Sequence, residues 1–260
     1  MEDYSFLEWT YESGIATVWL DRPPVNAVNQ AMYREIKALF DDPFQIDGSV
    51  KAIVLTGKGR HFCAGNDLGE FATLTPENSD ERMAEVRAAF FAIQDCPVPV
   101  VGAVHGSALG TGLAIAASCD FVVAASDARF GTPEVSVGVM GGARHLARLV
   151  PEPWVRWMYL TAEPITGEKL AQLGGIVETV APNQVLDSAY RHAHLVARHS
   201  GPILAMAKRS LNRVECMDLQ PGYTFEQSLT TEISGHPDSR EAVLSVVERR
   251  RPVYPSEQSE

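Results

Sequence analysis

Two short stretches combine residue types and spacing that suit chemistry: "CAGND" at residues 63–67 and "LGTGL" at 109–113. Each is built from small residues and lies between a strand-like apolar run and a helix-like one. At the start of a helix the first backbone N–H groups lack an internal acceptor, and the helix dipole favours negative charge. Glycine lets a ligand approach the backbone closely. Two such junctions side by side would aim two N–H groups at one oxygen and stabilise an oxyanion. Tight packing between layers is the competing explanation for either turn taken alone.

The elements that must position these turns follow from the pattern. Residues 4–10 and 15–20 read as strands joined in a hairpin at Glu12-Ser13-Gly14. "DRPPVNAVN", 21–29, is a Pro/Asn-rich loop, and a helix is expected from Gln30 to Phe40. A strand at 51–56 enters the first turn. Residues 72–80 read as a polar loop, and a helix from Asp80 has its apolar face at Met83, Val86, Phe90 and Ile93. Pro97 and Pro99 end it. A strand at 100–104 leads to the second turn, and "FVVAAS" is a further strand. From Ser188 to Ser239 the pattern is almost wholly helical. Pro202 is placed to begin one helix there. Asp238, with Glu241 three residues on, is placed to cap another. The fold class is therefore α/β, with strand, turn and helix repeating before an all-helical end. The expected division is a core over 1–200 and a helical region over 201–260.

A length of 260 residues suits one α/β domain with an appended element. The 45% apolar and 21% charged fractions are those of an ordinary soluble globular protein. A formal net charge of −11 argues against broad nucleic-acid or anionic-membrane binding, although a local basic patch can still hold a phosphate. Cys63, Cys96, Cys119 and Cys216 show no CxxC spacing and read as buried thiols of a reducing compartment. No signal-peptide pattern opens the chain, and no apolar run reaches the ~20 residues of a membrane span, so the expected location is cytoplasmic. The histidines form no ligand-like arrangement with Cys or acids, and no metal is expected.

The sequence resembles the crotonase superfamily, also called the enoyl-CoA hydratase/isomerase family. The resemblance rests on "GRHFCAGNDL", "AVHGSALGTGLAIAASCD" and "ARFGTPEVSVGV", in that order, and runs from "RPPVNAVN" to "ERRRPVY". It implies a crotonase-like (ClpP/crotonase) spiral of strand-strand-helix units with a helical C-terminal region that builds homotrimers, often stacked as hexamers. It implies an acyl-CoA substrate, with coenzyme A present only as part of that substrate. The thioester carbonyl would sit between the N–H groups of Asn66 and Thr111. Ala64, Gly65, Asp67, Leu68 and Gly110 around them become candidate substrate contacts, and Arg22, Val25 and Ala27 candidate CoA contacts.

Removing a proton beside a thioester, or adding a nucleophile to its conjugated alkene, places charge on the carbonyl oxygen. A positioned acid/base must then move the proton. Glu134, in "FGTPE", matches one of the two glutamates of the family's hydratases, whereas the other maps onto Ala114. This departure favours single-base, isomerase-like proton transfer. The alternatives are hydration by one carboxylate, hydrolysis or carbon–carbon cleavage in the same pocket, and a non-catalytic CoA- or RNA-binding role. "MGGARHLARL" departs from the family pattern and brings Arg144 and His145 toward the acyl pocket. His145 could serve as acid or base, or make a structural hydrogen bond at a helix start. Asp67 is expected to brace its loop, and His105 and Asp120 to be structural. Lys208, Arg60 and Arg249-Arg250-Arg251 are candidate phosphate partners, with a solvated helix end as the other reading.

Overall fold

Uninterrupted apolar runs set the centre of the fold, as they do in parallel sheets covered on both faces. The computed structural model describes residues 4–258. Its strands are β1 (Leu7–Glu12), β2 (Ile15–Leu20), β3 (Ala52–Gly57), β4 (Val100–Val104), β5 (Ser107–Leu109), β6 (Phe121–Ala125), β7 (Arg129–Gly131), β8 (Ile165–Thr166) and β9 (Glu178–Val180). Every residue of β3 and β4 is buried. A six-stranded sheet runs β1-β2-β3-β4-β6-β9, and a three-stranded sheet runs β5-β7-β8. Only the β1–β2 and β7–β8 pairings are antiparallel.

The helices of the first half are α1 (Gln30–Asp41), α2 (Leu68–Phe71), α3 (Pro76–Asp95) and α4 (Thr111–Ser118). They are followed by α5 (Ala143–Leu146), α6 (Glu152–Thr161), α7 (Gly167–Gln172), α8 (Val185–Ala197), α9 (Gly201–Val214), α10 (Leu219–Ile233) and α11 (Pro237–Val247). Helix α1 buries Met32, Tyr33, Ile36, Leu39 and Phe40, and the Asn29 side chain caps it by accepting from Met32 N. All eight residues of α4 are buried, as expected of a helix that is apolar on every side.

Several boundaries differ from the sequence reading. The first strand begins at Leu7 rather than at residue 4, while the hairpin turn falls at Ser13 and Gly14, both at positive φ. The segment read as a loop to residue 80 is already helical from Pro76. Thr75 and Asn78 form a capping box there, and Pro76 fills the first turn, where no N–H is needed. Asp238 does not cap α11. His236 does, by accepting from Asp238 N, and the buried Asp238 carboxylate binds Ser200 and Ser256 instead. Of the four cysteines, Cys216 is exposed, against the expectation of four buried thiols.

A buried cation ties helix α9 to the sheet-bearing part. Lys208 Nζ donates to Ile93 O at 3.2 Å, Val98 O at 3.3 Å and Asp120 Oδ2 at 2.7 Å. Asp120 also accepts from Val100 N at 2.7 Å and so braces the entry to β4, the structural role expected for it. These bonds overturn the expectation that Lys208 meets a phosphate. Its charge is already neutralised and only 4% of the side chain is exposed.

Candidate active site

The two small-residue turns lie against each other because backbone bridges join them. Cys63 N donates to Ser107 O at 2.9 Å and Leu109 N to Cys63 O at 3.1 Å, which lays the first turn beside β5. Gly112 makes the close approach possible, since a Cβ there would stand 2.0 Å from Cys63 O. On its other side the first turn bridges the Arg22–Asn29 loop. Val28 N donates to Gly65 O and Asp67 N to Val28 O, both at 2.9 Å. In a parallel bridge of this kind the flanking residues make both bonds, so the N–H of Asn66 itself points the other way. Thr111 is the first residue of α4, and its N–H is one that the helix leaves without an acceptor. Neither N–H meets an acceptor among the described residues.

A cleft of about 480 Å³ opens at this junction. Of the predicted contacts, Val25, Ala27, Ala64, Gly65, Asn66, Asp67, Leu68, Gly110 and Glu134 all line it. Sequence reasoning missed Gly69, Phe71, Pro133, Val137 and Val139, which complete the wall. The alternating valines of "PEVSVGV" were the available signal for two of them.

Glu134 opens a short 3₁₀ turn after β7. Its Oε1 lies 3.5 Å from where a Cβ on Gly110 would be, and 2.9 Å from one on Gly142. The carboxylate therefore sits over the residue preceding Thr111, and bare backbone at two glycines makes the room. Its Oε2 is buried and has no hydrogen-bond partner. Burial raises its pKa above the ordinary glutamate value, against a smaller backbone hydrogen-bond effect. Asp67, on the opposite wall, accepts from Gly69 N at 2.9 Å, Glu70 N at 3.4 Å and Arg22 at 2.5 Å. The Arg22 hydrogen bond holds its pKa below the ordinary range. Ala114 is buried inside α4, one turn on from Gly110, whose carbonyl accepts from its N–H.

Other predicted residues lie elsewhere. Arg22 does not line the cleft. It donates to Ala27 O at 2.8 Å and to Asp67, and so braces the loop. His145 does not reach the cleft wall either. Its ring packs edge-on against Phe90 at 5.1 Å, and burial followed by the nearby Arg148 and Arg144 lowers its pKa. Arg144 pairs with Glu215 at 3.3 Å, Arg250 with Glu241 and Glu248, and His105 meets Gly59 O at 3.1 Å. Arg60, Arg249 and Arg251 are exposed. The Thr111 side chain points away from solvent, and its hydroxyl meets Tyr33 Oη at 2.7 Å. Tyr33, a residue the pattern assigned only to a helix, also donates to Asn66 Oδ1 at 2.5 Å. A tyrosine on the apolar face of α1 was the overlooked signal, because a buried hydroxyl must find a partner.

Comparison with known proteins shows the family and the fold. The sequence matches the family model described as enoyl-CoA hydratase/isomerase over residues 10–257. A (7aS)-7a-methyl-1,5-dioxo-2,3,5,6,7,7a-hexahydro-1H-indene-carboxyl-CoA hydrolase of Rhodococcus jostii is 36% identical, over 85% of this chain and 86% of that protein. A 2,3-dehydroadipyl-CoA hydratase of Escherichia coli is 34% identical, over 90% of this chain and 92% of that protein. The crystal structure of an enoyl-CoA hydratase of Mycobacterium smegmatis superposes with a TM-score of 0.90 at 29% identity, covering 96% of this chain and 99% of the other.

Proposed function

The chain belongs to the enoyl-CoA hydratase/isomerase family, and from that premise we propose that it forms an acyl-CoA enolate with Glu134 as its one acid/base. The observation that carries this reading is the buried, unpartnered Glu134 Oε2 beside two backbone N–H groups unpaired among the described residues, with alanine at position 114. The N–H groups of Asn66 and Thr111 take up the charge that develops on the thioester oxygen. Glu134 removes a proton from the carbon next to the carbonyl and returns it to the far end of the conjugated system. Among the described residues no second carboxylate free of bonds lines the cleft, because Asp67 is held by Arg22. Proton transfer without addition of water is therefore the favoured outcome.

Hydrolytic carbon–carbon cleavage is the second reading, and relatives at 36% and 35% identity named as carboxyl-CoA hydrolases favour it. There Glu134 would take a proton from water as the hydroxide adds to a ketone of the acyl group. The bond to the carbon beside the thioester would break, leaving its electron pair as the same enolate, and Glu134 would return the proton to that carbon. Coenzyme A enters in both readings only as part of the substrate. The apolar Leu219, Val246 and Val247, exposed on α10 and α11, support a homotrimer or hexamer as the assembly.

The test is incubation with a 3-enoyl-CoA and a 2-trans-enoyl-CoA in deuterated water, beside Glu134→Gln. Conversion of the 3-enoyl form to the 2-trans-enoyl form, with solvent deuterium entering at C4 and no 3-hydroxyacyl product, is the expected result. Turnover only of a cyclic β-keto acyl-CoA, with ring opening, selects the second reading. Wild-type rates in Glu134→Gln overturn both.

A further inference from the structure

We propose that Tyr33 is a positioning residue for the oxyanion-binding pair: its one buried hydroxyl clamps the side chains of Asn66 and Thr111 and so sets the spacing of their backbone N–H groups. The inference rests on the enolate reading above and deepens it.

Positions 66 and 111 come from two different turns, yet both of their side chains converge on one atom. Tyr33 Oη lies 2.5 Å from Asn66 Oδ1 and 2.7 Å from Thr111 Oγ1. The protons order the chain. A side-chain carbonyl can only accept, so the single Tyr33 proton goes to Asn66, and the short separation suits O–H···O geometry. Thr111 must then donate to Tyr33. The direction runs Thr111 to Tyr33 to Asn66, and it leaves Asn66 Nδ2 as the end of the chain, without a partner among the described residues.

The clamp is held from behind, independently of the turns. Tyr33 is 1% exposed on the core face of α1. Its ring packs edge-on against Phe90 at 6.0 Å. The helix start is fixed by the Asn29 cap and by Gln30 N donating to Glu70 Oε2 at 2.8 Å. The hydroxyl is thus a fixed point to which one residue from each turn is tied, in surroundings where a hydrogen bond is strong and an unmade one is costly. Oxyanion donors work only within a narrow distance of the developing charge. A small error in their spacing weakens the transition state more than the bound substrate, so it lowers kcat before it changes KM.

Tyr33→Phe tests this, because it keeps the ring and its Phe90 contact and removes only the hydroxyl. The first readout is the infrared carbonyl stretch of butyryl-CoA carrying ¹³C at the thioester carbon, bound to each protein. The second is deuterium wash-in at C2 of a 3-enoyl-CoA. The expected result is a carbonyl stretch lowered in the wild type and shifted back toward the free value in Tyr33→Phe. Wash-in should slow about tenfold with KM nearly unchanged, short of the hundredfold that an ångström's misplacement can cost. Thr111→Val removes the other hydroxyl and should act in the same direction. The double variant should be no slower than the worse single one, as for residues of one network. A Tyr33→Phe protein, or Thr111→Val if the first does not fold, with the wild-type carbonyl stretch and exchange rate overturns the proposal whatever its melting temperature. A wild type that leaves the bound carbonyl stretch at its free value sinks the oxyanion reading together with Tyr33. Failure of the acid/base assignment is read separately, from wild-type exchange in Glu134→Gln.

Discussion

The two walls of the cleft hold their carboxylates in opposite ways. On the α2 wall Asp67 accepts from two backbone N–H groups and from Arg22, and Arg22 in turn is anchored to Ala27 O. On the β7 wall Glu134 keeps a buried oxygen with no partner at all. The Arg22 bond pulls the Asp67 pKa down, whereas burial pushes that of Glu134 up. Environments that drive two neighbouring carboxyl groups apart assign them different work. Asp67 is committed to holding the loop that carries Asn66, and Glu134 keeps the unpartnered oxygen that the proposed acid/base role requires. The lesson concerns partners more than residue type: an unsatisfied buried group is a stability cost that a reactive site retains.

The comparison can be broken most directly at Glu134. Glu134→Gln should slow C2 proton exchange by about 10²–10⁴-fold, the usual contribution of a general base, while acyl-CoA affinity by titration calorimetry stays near wild type. An exchange rate within a few-fold of wild type would show that the orphaned carboxylate is not the reactive one. Ala114→Glu asks whether a second carboxylate can simply be added. Every residue of α4 is buried, so the larger side chain should cost about 1–3 kcal/mol by overpacking alone, measured by urea denaturation. It should bring no hydration of a 2-trans-enoyl-CoA.

The signs of the two pKa shifts give a pH test. A base must be ionised to act, so kcat/KM should fall as pH drops through a value above the ordinary 4.5 of glutamate. An acid limb at or below that value would contradict the burial argument. For stability, the raised pKa of Glu134 means that its protonated form favours the fold, and this contribution fades as pH rises through the folded-state value. Asp67 behaves in the opposite sense: its contribution is present above the ordinary aspartate value and is lost as pH falls through the lowered folded-state one. Denaturation curves against pH should therefore show Glu134→Gln gaining relative stability toward neutral pH. The smallest effect is expected from Asp67→Asn. It should lose about 1 kcal/mol at neutral pH from a weakened helix cap and a partly exposed ion pair, with turnover reduced far less than in Glu134→Gln.

Much of the site was legible because its requirements are local. Bare backbone near a strand end needs small residues in sequence, and "CAGND" and "LGTGL" supplied them at the positions that line or border the cleft. What the pattern missed depended on partners distant in the chain. Lys208 looked like a solvent-facing cation at a helix, yet Asp120, 88 residues away, buries it. Arg22 and His145 were placed near the ligand by their motifs, and only the structure shows the bond to Asp67 and the packing on Phe90 that hold them outside the cleft lining. Asp238 had the composition of a cap, and only the arrival of Ser200 and Ser256 shows why it is buried instead.

By itself, then, the sequence determined the α/β class and the order of strand–turn–helix units, and it carried the motifs of the family, whose resemblance implies the roles of Glu134, Asn66 and Thr111. Periodicity, small-residue turns and motif order are all properties of neighbouring residues. The tertiary structure alone decided that Glu134 keeps one buried oxygen without a partner while Asp67 has three donors, and that one tyrosine hydroxyl joins Asn66 to Thr111. Burial and hydrogen bonding are set by which segments meet in space, and a linear pattern carries no record of those meetings.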